Sequence, residues 1–194
     1  MIDMHCVIFA GGKSSRMGED KALLPFGEYS SLAEFQYERM KKIFLHVSIS
    51  TKDSDKFSFT CKTIQDPKDI KTFAPTAGFV AMFDALHVKR VFVLSVDSPF
   101  VDEITIKRLI EADNDTLDAV IAKTPQGTHP MCGIYHSSLH VSFQEMLKND
   151  NHRLGKLLSI SKTKYVYFED EAPFANLNHP HEYAVAFSRC SRIL

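Results

Sequence analysis

The sequence predicts a three-layer α/β/α sandwich with a Rossmann-like, mainly parallel central sheet. Strand patterns alternate with helix patterns over most of the 194 residues, the order expected of a parallel sheet covered by helices. Two runs, residues 6–10 and 90–96, are almost continuously apolar, as in strands that are buried on both faces. The length and the average composition, 44% hydrophobic and 24% charged, are those of one globular domain.

The elements follow in a regular order along the chain. The first apolar strand ends at a glycine-rich loop, after which Ser31 and Glu34 form a capping box for a helix over residues 32–43. The remaining predicted strands are residues 46–50, 62–66, 90–96, 118–122, 131–135 and 164–168. The remaining predicted helices are residues 76–86, 103–112 (capped by Asp102), 137–147, 153–159 and 181–187. We expect residues 1–187 to form a single domain, with 188–194 as the candidate for a disordered tail.

Charge and cysteine usage exclude several classes of protein. The net charge is −1, and the basic residues are scattered, so neither a nucleic-acid track nor an anionic membrane surface is indicated. The first apolar run stops at Gly11, too short for a signal or membrane segment. The four cysteines are far apart and form no C-x-x-C pair. These features predict a cytoplasmic protein with reduced thiols.

The glycine-rich loop that follows the first strand predicts a phosphate-binding site. Glycines let the backbone approach a ligand closely, and consecutive N–H groups near a helix start suit phosphate oxygens. Arg16 and Lys21 add positive charge to this segment. Asp66 and Asp97 end two other predicted strands, and ligands of such sheets bind at the carboxyl ends of strands.

Two common phosphate motifs do not fit this loop. A Walker A motif would need a glycine at Val7, inside the strand. A dinucleotide G-x-G-x-x-G motif is broken by Lys13 and Ser15. A purely structural alternative stays open, in which the glycines form an ordinary turn and Asp97 caps the turn after its strand.

The motifs in their order resemble a known family. Residues 10–21, Ala-Gly-Gly-Lys-Ser-Ser-Arg-Met-Gly-x-x-Lys, resemble the signature of the short nucleotidyltransferases typified by molybdenum cofactor guanylyltransferases. The downstream segments that match in order are Asp66 and residues 74–78, 95–100, 129–130 and 176–180. The resemblance implies the fold of the nucleotide-diphospho-sugar transferases, and it covers nearly the whole chain.

The resemblance also implies the roles of individual residues. The implied nucleotide-binding residues are Phe9, Ala10, Gly11, Gly12, Lys21, Ser50, Asp66, Gly78 and Asp97. Among them, Asp66 contacts the guanosine portion, and Ser50 stands where the family often has Asn near the base. The implied catalytic residues are Lys21, Arg16 and Asp97, and Asp97 is the ligand of Mg²⁺. Asn176 and Asn178 face the acceptor.

The implied reaction transfers GMP from GTP to molybdopterin and releases pyrophosphate. Transient contacts with proteins that deliver the cofactor or with molybdoenzymes are a further expectation, and no nucleic acid or membrane is involved. Two alternatives stay open. One is a related cytidylyl- or sugar-phosphate nucleotidyltransferase, and the other is a catalytically silent nucleotide-binding protein.

The histidines need separate consideration. His136 and His140 are one helical turn apart, but no H-E-x-x-H motif accompanies them, so exposed helix residues are favoured over a zinc pair. His129 precedes Pro130 at the start of a predicted strand. It faces an acceptor pocket in one interpretation and is a hydrogen-bonded strand-edge residue in the other.

Overall fold

A computed structural model describes residues 1–12, 18–66 and 74–190. Within these residues the seven strands are β1 (Ile2–Phe9), β2 (Phe44–Thr51), β3 (Thr63–Gln65), β4 (Arg90–Ser95), β5 (Ala119–Thr124), β6 (Gly127–His136) and β7 (Thr163–Tyr167). The α-helices are α1 (Leu32–Ile43), α2 (Pro75–Leu86), α3 (Glu103–Glu111), α4 (His140–Lys148), α5 (Leu154–Ile160) and α6 (Pro180–Cys190). Short 3-10 turns occur at Lys21–Leu23, Ser137–Leu139 and Ala172–Phe174.

Helices cover both faces of the sheet, which confirms the predicted three layers. Strand β1 shows how the sequence produces them, because successive side chains of a strand point to opposite faces. Cys6 and Ile8 face a core that includes side chains of α1, α3 and α6. Val7 and Phe9 face a second core, formed with α2, α4 and α5. Both faces are buried, so the strand is apolar without alternation.

The strand order is β3-β2-β1-β4-β6-β5-β7, and β6 alone runs antiparallel to its neighbours in the described sheet. The chain leaves β1 for β2 on one side and returns to β4 on the other. Such a reversal opens a crevice at the carboxyl ends of the strands, where ligands of this fold class bind. The mainly parallel sheet is as predicted.

Element boundaries differ from the prediction mostly at the strand ends. The strands around Pro125 were expected to be five residues each, but β5 has six and β6 has ten because the two form a hairpin that extends to its turn. The single helix expected over 137–147 begins as a 3-10 turn before α4. Helix α6 extends to Cys190, so the predicted boundary after Phe187 falls inside it. Residues 191–194 lie outside the described residues.

The helix caps follow the sequence with one change. Ser31 accepts a hydrogen bond from the Glu34 backbone N–H at 3.1 Å, and Asp102 accepts one from Thr105 N–H at 2.8 Å, both as predicted. The returning half of the capping box is shifted, because the Glu34 carboxylate accepts from the Ser30 backbone N–H.

Among the helices that the structure describes, none combines the length and the apolar composition that a membrane-spanning helix needs.

Gly133 in β6 provides a test of the packing between the central strands. A Cβ at this position would lie 2.2 Å from the Val120 carbonyl oxygen, a backbone atom that cannot move without disturbing the β5–β6 pairing. Gly133→Ala is therefore expected to cost about 1–3 kcal/mol of unfolding free energy. Thermal unfolding measures this as a midpoint several degrees lower.

Gly155→Ala is the matched control for that substitution. Gly155 lies in α5, and a Cβ there meets no atom of the described chain within 4 Å. Alanine is a better helix former than glycine, so the control is expected to be neutral or slightly stabilising. Equal unfolding midpoints for the two variants would show that the close contact at Gly133 is not a constraint.

Candidate active site

The site lies where β1, β2 and β4 end side by side. Phe9 pairs with Ser50 of β2 and with Ser95 of β4 at the last positions of the parallel register. Just beyond, Ala10 N–H donates to the Ser50 carbonyl at 2.8 Å, and Val96 N–H donates to the Phe9 carbonyl at 3.0 Å. The glycines after Ala10 and the aspartate after Val96 therefore leave the sheet next to each other.

A cavity opens beside the first glycines. Its lining comes from Phe9, Gly11, Gly12, Ser50, Asp66, Ala74, Pro75, Gly78, Ser95 and Met131. Six of the predicted nucleotide-binding residues, Phe9, Gly11, Gly12, Ser50, Asp66 and Gly78, are thus brought together. Ala10 is buried behind this wall and contributes backbone hydrogen bonds. The predicted phosphate-binding residue Arg16 lies outside the described residues.

Gly78 lets helix α2 approach the sheet at this cavity. A Cβ on Gly78 would lie 2.6 Å from a Phe9 ring carbon and 2.7 Å from the Ser50 hydroxyl oxygen. The Phe9 ring also contacts Phe79, with 4.9 Å between ring centroids. Because any larger residue would displace two lining side chains, glycine is required at position 78 for the shape of the cavity.

Asp66 places a carboxyl group in the wall of the cavity. The residue is 8% exposed, and its Oδ1 atom is buried without a hydrogen-bond partner among the described residues. Burial raises the pKa of Asp66 above its usual range, although the positive charge of Lys52 and a hydrogen bond from Ser50 oppose the shift. Buried polar atoms are rarely left unpaired, so this oxygen is suited to accept a hydrogen bond from a ligand.

Lys21 and Asp97, two further predicted nucleotide-binding residues, form an ion pair outside the lining of this cavity. Lys21 Nζ lies 2.7 Å from Asp97 Oδ2 and 3.2 Å from Asn178 Oδ1. The hydroxyl of Ser95 donates to Asp97 Oδ1 at 2.6 Å. The two charged side chains are 16% and 19% exposed, so they are accessible at the crevice. Both oxygens of Asp97 thus accept from side chains, which differs from a carboxylate that only caps a turn.

The segment with the two predicted asparagines passes beside Asp97. Leu177 N–H donates to the Asp97 carbonyl at 2.9 Å, and the Ser98 hydroxyl donates to Asn176 Oδ1 at 2.7 Å. Glu182 fixes the next turn, because its carboxylate accepts from the backbone N–H of Asn178 at 2.7 Å. Burial alone would raise the pKa of Glu182, but backbone hydrogen bonds hold it below its usual range.

A second cavity adjoins the first across Ser95 and Met131, which line both. Its other lining residues are Asp97, Ser98, Thr128, His129, Pro130, Cys132, Phe174 and Asn176. Because β6 runs antiparallel to β4, the first half of β6 lies at the carboxyl edge of the sheet. Two cavities therefore adjoin at Ser95 and Met131, with the glycines in the first and with Asp97 and Asn176 in the second.

His129 fits both of its interpretations. It lines the second cavity, where its ring stacks on Phe174 with 4.6 Å between centroids. Its Nε2 atom also lies 2.9 Å from the Thr124 hydroxyl oxygen. Burial lowers the pKa of His129, with a smaller opposing effect from Glu171, so the neutral ring is favoured.

The prediction of exposed helix residues was wrong for His136, whereas His140 begins helix α4. His136 is the last residue of β6, not a helix residue, and it is 3% exposed. Its Nε2 atom lies 2.8 Å from Asp113 Oδ1, a carboxylate that also pairs with Arg90. The spacing of four residues to His140 spans a strand end and a 3-10 turn, so helical periodicity does not apply.

Comparison with known protein families gives a match over most of the chain. A family model described as the MobA-like NTP transferase domain matches residues 6–164. The chain belongs to this family. The predicted resemblance and the predicted enzyme class, a nucleotidyltransferase, are thereby confirmed.

Individual MobA-like relatives match nearly the whole chain. A molybdenum cofactor guanylyltransferase of Campylobacter jejuni is 40% identical over 181 residues, covering 93% of this chain and 94% of the relative. One from Helicobacter pylori is 34% identical over 189 residues, covering 95% and 92%. The solved structure of molybdopterin-guanine dinucleotide biosynthesis protein A from Archaeoglobus fulgidus superposes with a TM-score of 0.83 at 21% identity, covering 97% and 100%. That similarity confirms the fold.

The oxygen atoms that surround Asp97 in the second cavity fit a magnesium ion. The second cavity presents the Asp97 carboxylate with the hydroxyls of Ser95 and Ser98. Mg²⁺ prefers one or two carboxylates completed by phosphate oxygens and water. In the described parts of the chain, no group of three or more His, Cys, Asp or Glu side chains could hold a metal ion. The donor set therefore fits Mg²⁺ held together with a phosphate ligand, and it differs from that of a zinc site.

One charged residue that contacts the end of β1, outside the two cavities, has no signal in the sequence. Lys56 lies in the polar stretch between β2 and β3, yet its ammonium group reaches the Ala10 carbonyl at 2.9 Å. No periodicity or motif marks such a contact, because it depends on how the connection folds back over the end of β1. Phe174 was missed for a similar reason, since it looks like an ordinary core residue.

Proposed function

We propose that this protein is a molybdenum cofactor guanylyltransferase that transfers GMP from GTP to molybdopterin. The observation that carries the proposal is a pair of adjoining cavities that share Ser95 and Met131. The glycines line one cavity, and Asp97, which pairs with Lys21, lines the other together with Asn176. A nucleotidyltransferase needs such an arrangement, because donor and acceptor must reach the same phosphorus atom. The name carried by relatives that are 40% identical supports these particular substrates.

The reaction needs little proton transfer from the protein. An ionised phosphate oxygen of molybdopterin attacks the α-phosphorus of GTP, a new P–O bond forms, and the bond to the β-phosphate oxygen breaks. Pyrophosphate leaves with the electron pair. An ionised phosphate requires no general base, so catalysis reduces to alignment of the reacting groups and stabilisation of the developing charge.

Lys21 and Asp97 take different parts in that task. In this proposal the Lys21 ammonium, which contacts Asp97 and Asn178, stabilises the phosphates of the leaving group together with Arg16. Asp97 would hold Mg²⁺, which would supply positive charge against the phosphate oxygens. Asp97 and Lys21 are paired at 2.7 Å, so their two charges compensate each other before the substrate enters.

Asp66 is the residue that we propose selects guanosine. An ionised carboxylate only accepts hydrogen bonds, and guanine offers two adjacent donors, N1–H and the N2 amino group. Cytosine and adenine present a ring-nitrogen acceptor beside their amino group, which would face the carboxylate unfavourably. The unpaired buried Oδ1 of Asp66 supports this assignment, and Ser50 orients the carboxyl group.

The acceptor occupies the second cavity in this proposal. The side-chain amides of Asn176 and Asn178 contact Ser98 and Lys21, respectively, and these contacts support a role of the two asparagines on the acceptor side. His129 and Phe174 form the opposite wall. A cytoplasmic location and transient contacts with proteins that deliver or receive the cofactor complete the proposal.

A comparison of nucleotides tests the proposed function. Ligands that bind only the folded state raise its unfolding temperature according to their affinity. With Mg²⁺ present, GTP is expected to raise the unfolding midpoint more than CTP, ATP or UTP at equal concentration. Release of pyrophosphate from GTP on addition of molybdopterin then tests turnover. A larger shift with CTP would favour the cytidylyltransferase alternative, and binding without pyrophosphate release would favour the silent nucleotide-binding protein.

A further inference from the structure

Lys56 joins two points of the chain that lie on either side of the predicted phosphate-binding segment. Its ammonium nitrogen is 2.9 Å from the carbonyl oxygen of Ala10 and 2.7 Å from Oδ2 of Asp20. The side chain is only 14% exposed, less than that of Lys21. A lysine this well covered, with two acceptors within hydrogen-bond distance, differs from an ordinary solvated surface lysine.

The neighbours of Lys56 hold it in place. Its ammonium group lies 5.1 Å from the centre of the Phe57 ring, within the range of a cation–π interaction. Phe57 contacts Phe59, and Phe59 contacts Tyr37 of α1. The connection between β2 and β3 is thus anchored on the core by aromatic side chains, and Lys56 extends from that anchor to the end of β1.

Asp20 transmits this contact to the catalytic lysine. While Asp20 Oδ2 binds Lys56, its Oδ1 accepts from the Ala22 backbone N–H at 3.0 Å and caps the 3-10 turn Lys21–Leu23. Lys21 is the first residue of that turn, and its own side chain reaches Asp97. A continuous series of contacts therefore runs from Lys56 through Asp20 and Lys21 to Asp97.

Charge balance gives Lys56 a second role. The Ala10 carbonyl oxygen, which carries a partial negative charge, and the Asp20 carboxylate, which carries a full one, both accept from Lys56. They lie on either side of the predicted phosphate-binding segment. Without Lys56 they would face each other without a compensating charge, and partly buried charges interact more strongly than charges in water. An incoming phosphate would then be repelled by Asp20.

We propose that Lys56 is a positioning residue for triphosphate binding, which holds the turn of Lys21 in place, compensates the charge of Asp20 and donates a hydrogen bond to the Ala10 carbonyl. This inference rests on the proposed function in that the bound ligand is a nucleoside triphosphate, but it does not depend on the base. Lys56 contacts neither the cavity that we assign to guanosine nor the one that we assign to the acceptor.

Binding of inorganic tripolyphosphate and of GTP to Lys56→Met, each with Mg²⁺ and measured by calorimetry, tests the inference. Methionine keeps the length of the side chain and removes its charge. Both ligands are expected to bind about tenfold more weakly, the size of one charge-assisted hydrogen bond. Lys107→Met is the control, because Lys107 pairs with Glu103 at an exposed site where both side chains are more than half exposed.

A second substitution separates an effect of the Lys56 charge from a purely structural effect. Asp20→Asn removes the unpaired charge that Lys56→Met leaves behind, and asparagine caps a helical turn about as well as aspartate. The double variant is therefore expected to bind tripolyphosphate at least threefold more tightly than Lys56→Met alone, by the charge-balance argument. If Lys56→Met alone does not fold, the double variant is measured instead, and its affinity for tripolyphosphate is expected to lie within about threefold of wild type.

Two results would overturn the inference. One is an unchanged affinity of Lys56→Met for tripolyphosphate, and the other is no recovery of affinity on adding Asp20→Asn. A failure of the proposed function is distinguishable from these. If CTP binds better than GTP but tripolyphosphate binding still falls tenfold in Lys56→Met, the positioning role stands and the assignment of guanosine does not.

Discussion

Asp97→Asn is expected to lower turnover by roughly 10²–10³-fold while the fold is kept. Asparagine has the same shape and still accepts the hydrogen bond from the Ser95 hydroxyl, so the substitution removes only the charge. That charge both pairs with Lys21 and holds the metal ion in the proposed mechanism. The lost ion pair is largely shielded from solvent, so the substitution is also expected to cost about 1–3 kcal/mol of unfolding free energy.

Pyrophosphate release at saturating GTP and molybdopterin measures the effect, together with thermal unfolding of the free protein. Glu103→Gln is the matched control, because it makes the same chemical change at the exposed pair with Lys107, away from the site. Lys21→Met is expected to lower turnover similarly. Turnover of Asp97→Asn within threefold of wild type would exclude Asp97 from the chemistry and leave it as a structural partner of Lys21.

Asp66→Asn is expected to weaken GTP binding by about 10- to 100-fold, the range for hydrogen bonds to a charged group. The free protein should not lose stability. The pKa of Asp66 is raised in the folded state, so the fold without nucleotide loses stability as pH rises from the ordinary aspartate range through that raised pKa. Asparagine is neutral at every pH, so above this range the variant should unfold at the same or a higher temperature than wild type.

Inosine triphosphate, which lacks the N2 amino group of guanine, gives this prediction a second measurement. Wild-type protein is expected to prefer GTP to inosine triphosphate, and Asp66→Asn is expected to lose that preference. Asp170→Asn, an exposed aspartate that accepts from the Ala172 backbone N–H, is the control. An unchanged preference for GTP in Asp66→Asn would mean that the carboxylate does not contact the base.

Much of the nucleotide half of the site could be predicted from the sequence. Strand β1 is apolar without alternation because both of its faces are buried, and the change to glycine marks where it leaves the sheet. Asp97 follows β4 in the same way. Parallel strands place their carboxyl ends at one edge, so these local patterns also determine which residues meet. Each strand end is marked by a local sequence pattern, although the residues that meet at these ends are far apart in the sequence.

The contacts that depend on tertiary packing were not predictable in this way. The spacing between His136 and His140 suggests a helix. His136 is instead the last residue of β6 in the β5–β6 hairpin, where its ring pairs with Asp113. Lys56 reaches Ala10 only because aromatic residues fix the connection between β2 and β3 against the core. Nothing within a few residues of either position encodes these partners, so a single sequence carries no local signal for them.

Strand β6 has a consequence for how substrate preference can be altered. The glycine-lined cavity takes most of its wall from the first 78 residues, whereas the cavity beside it is walled largely by the hairpin strand β6 and by residues near Phe174. If the two cavities bind nucleotide and acceptor as proposed, the two specificities are modular, with Ser95 and Met131 shared between them. Exchange of one hairpin and one short C-terminal segment would then be expected to change the acceptor without a change to the order of the sheet.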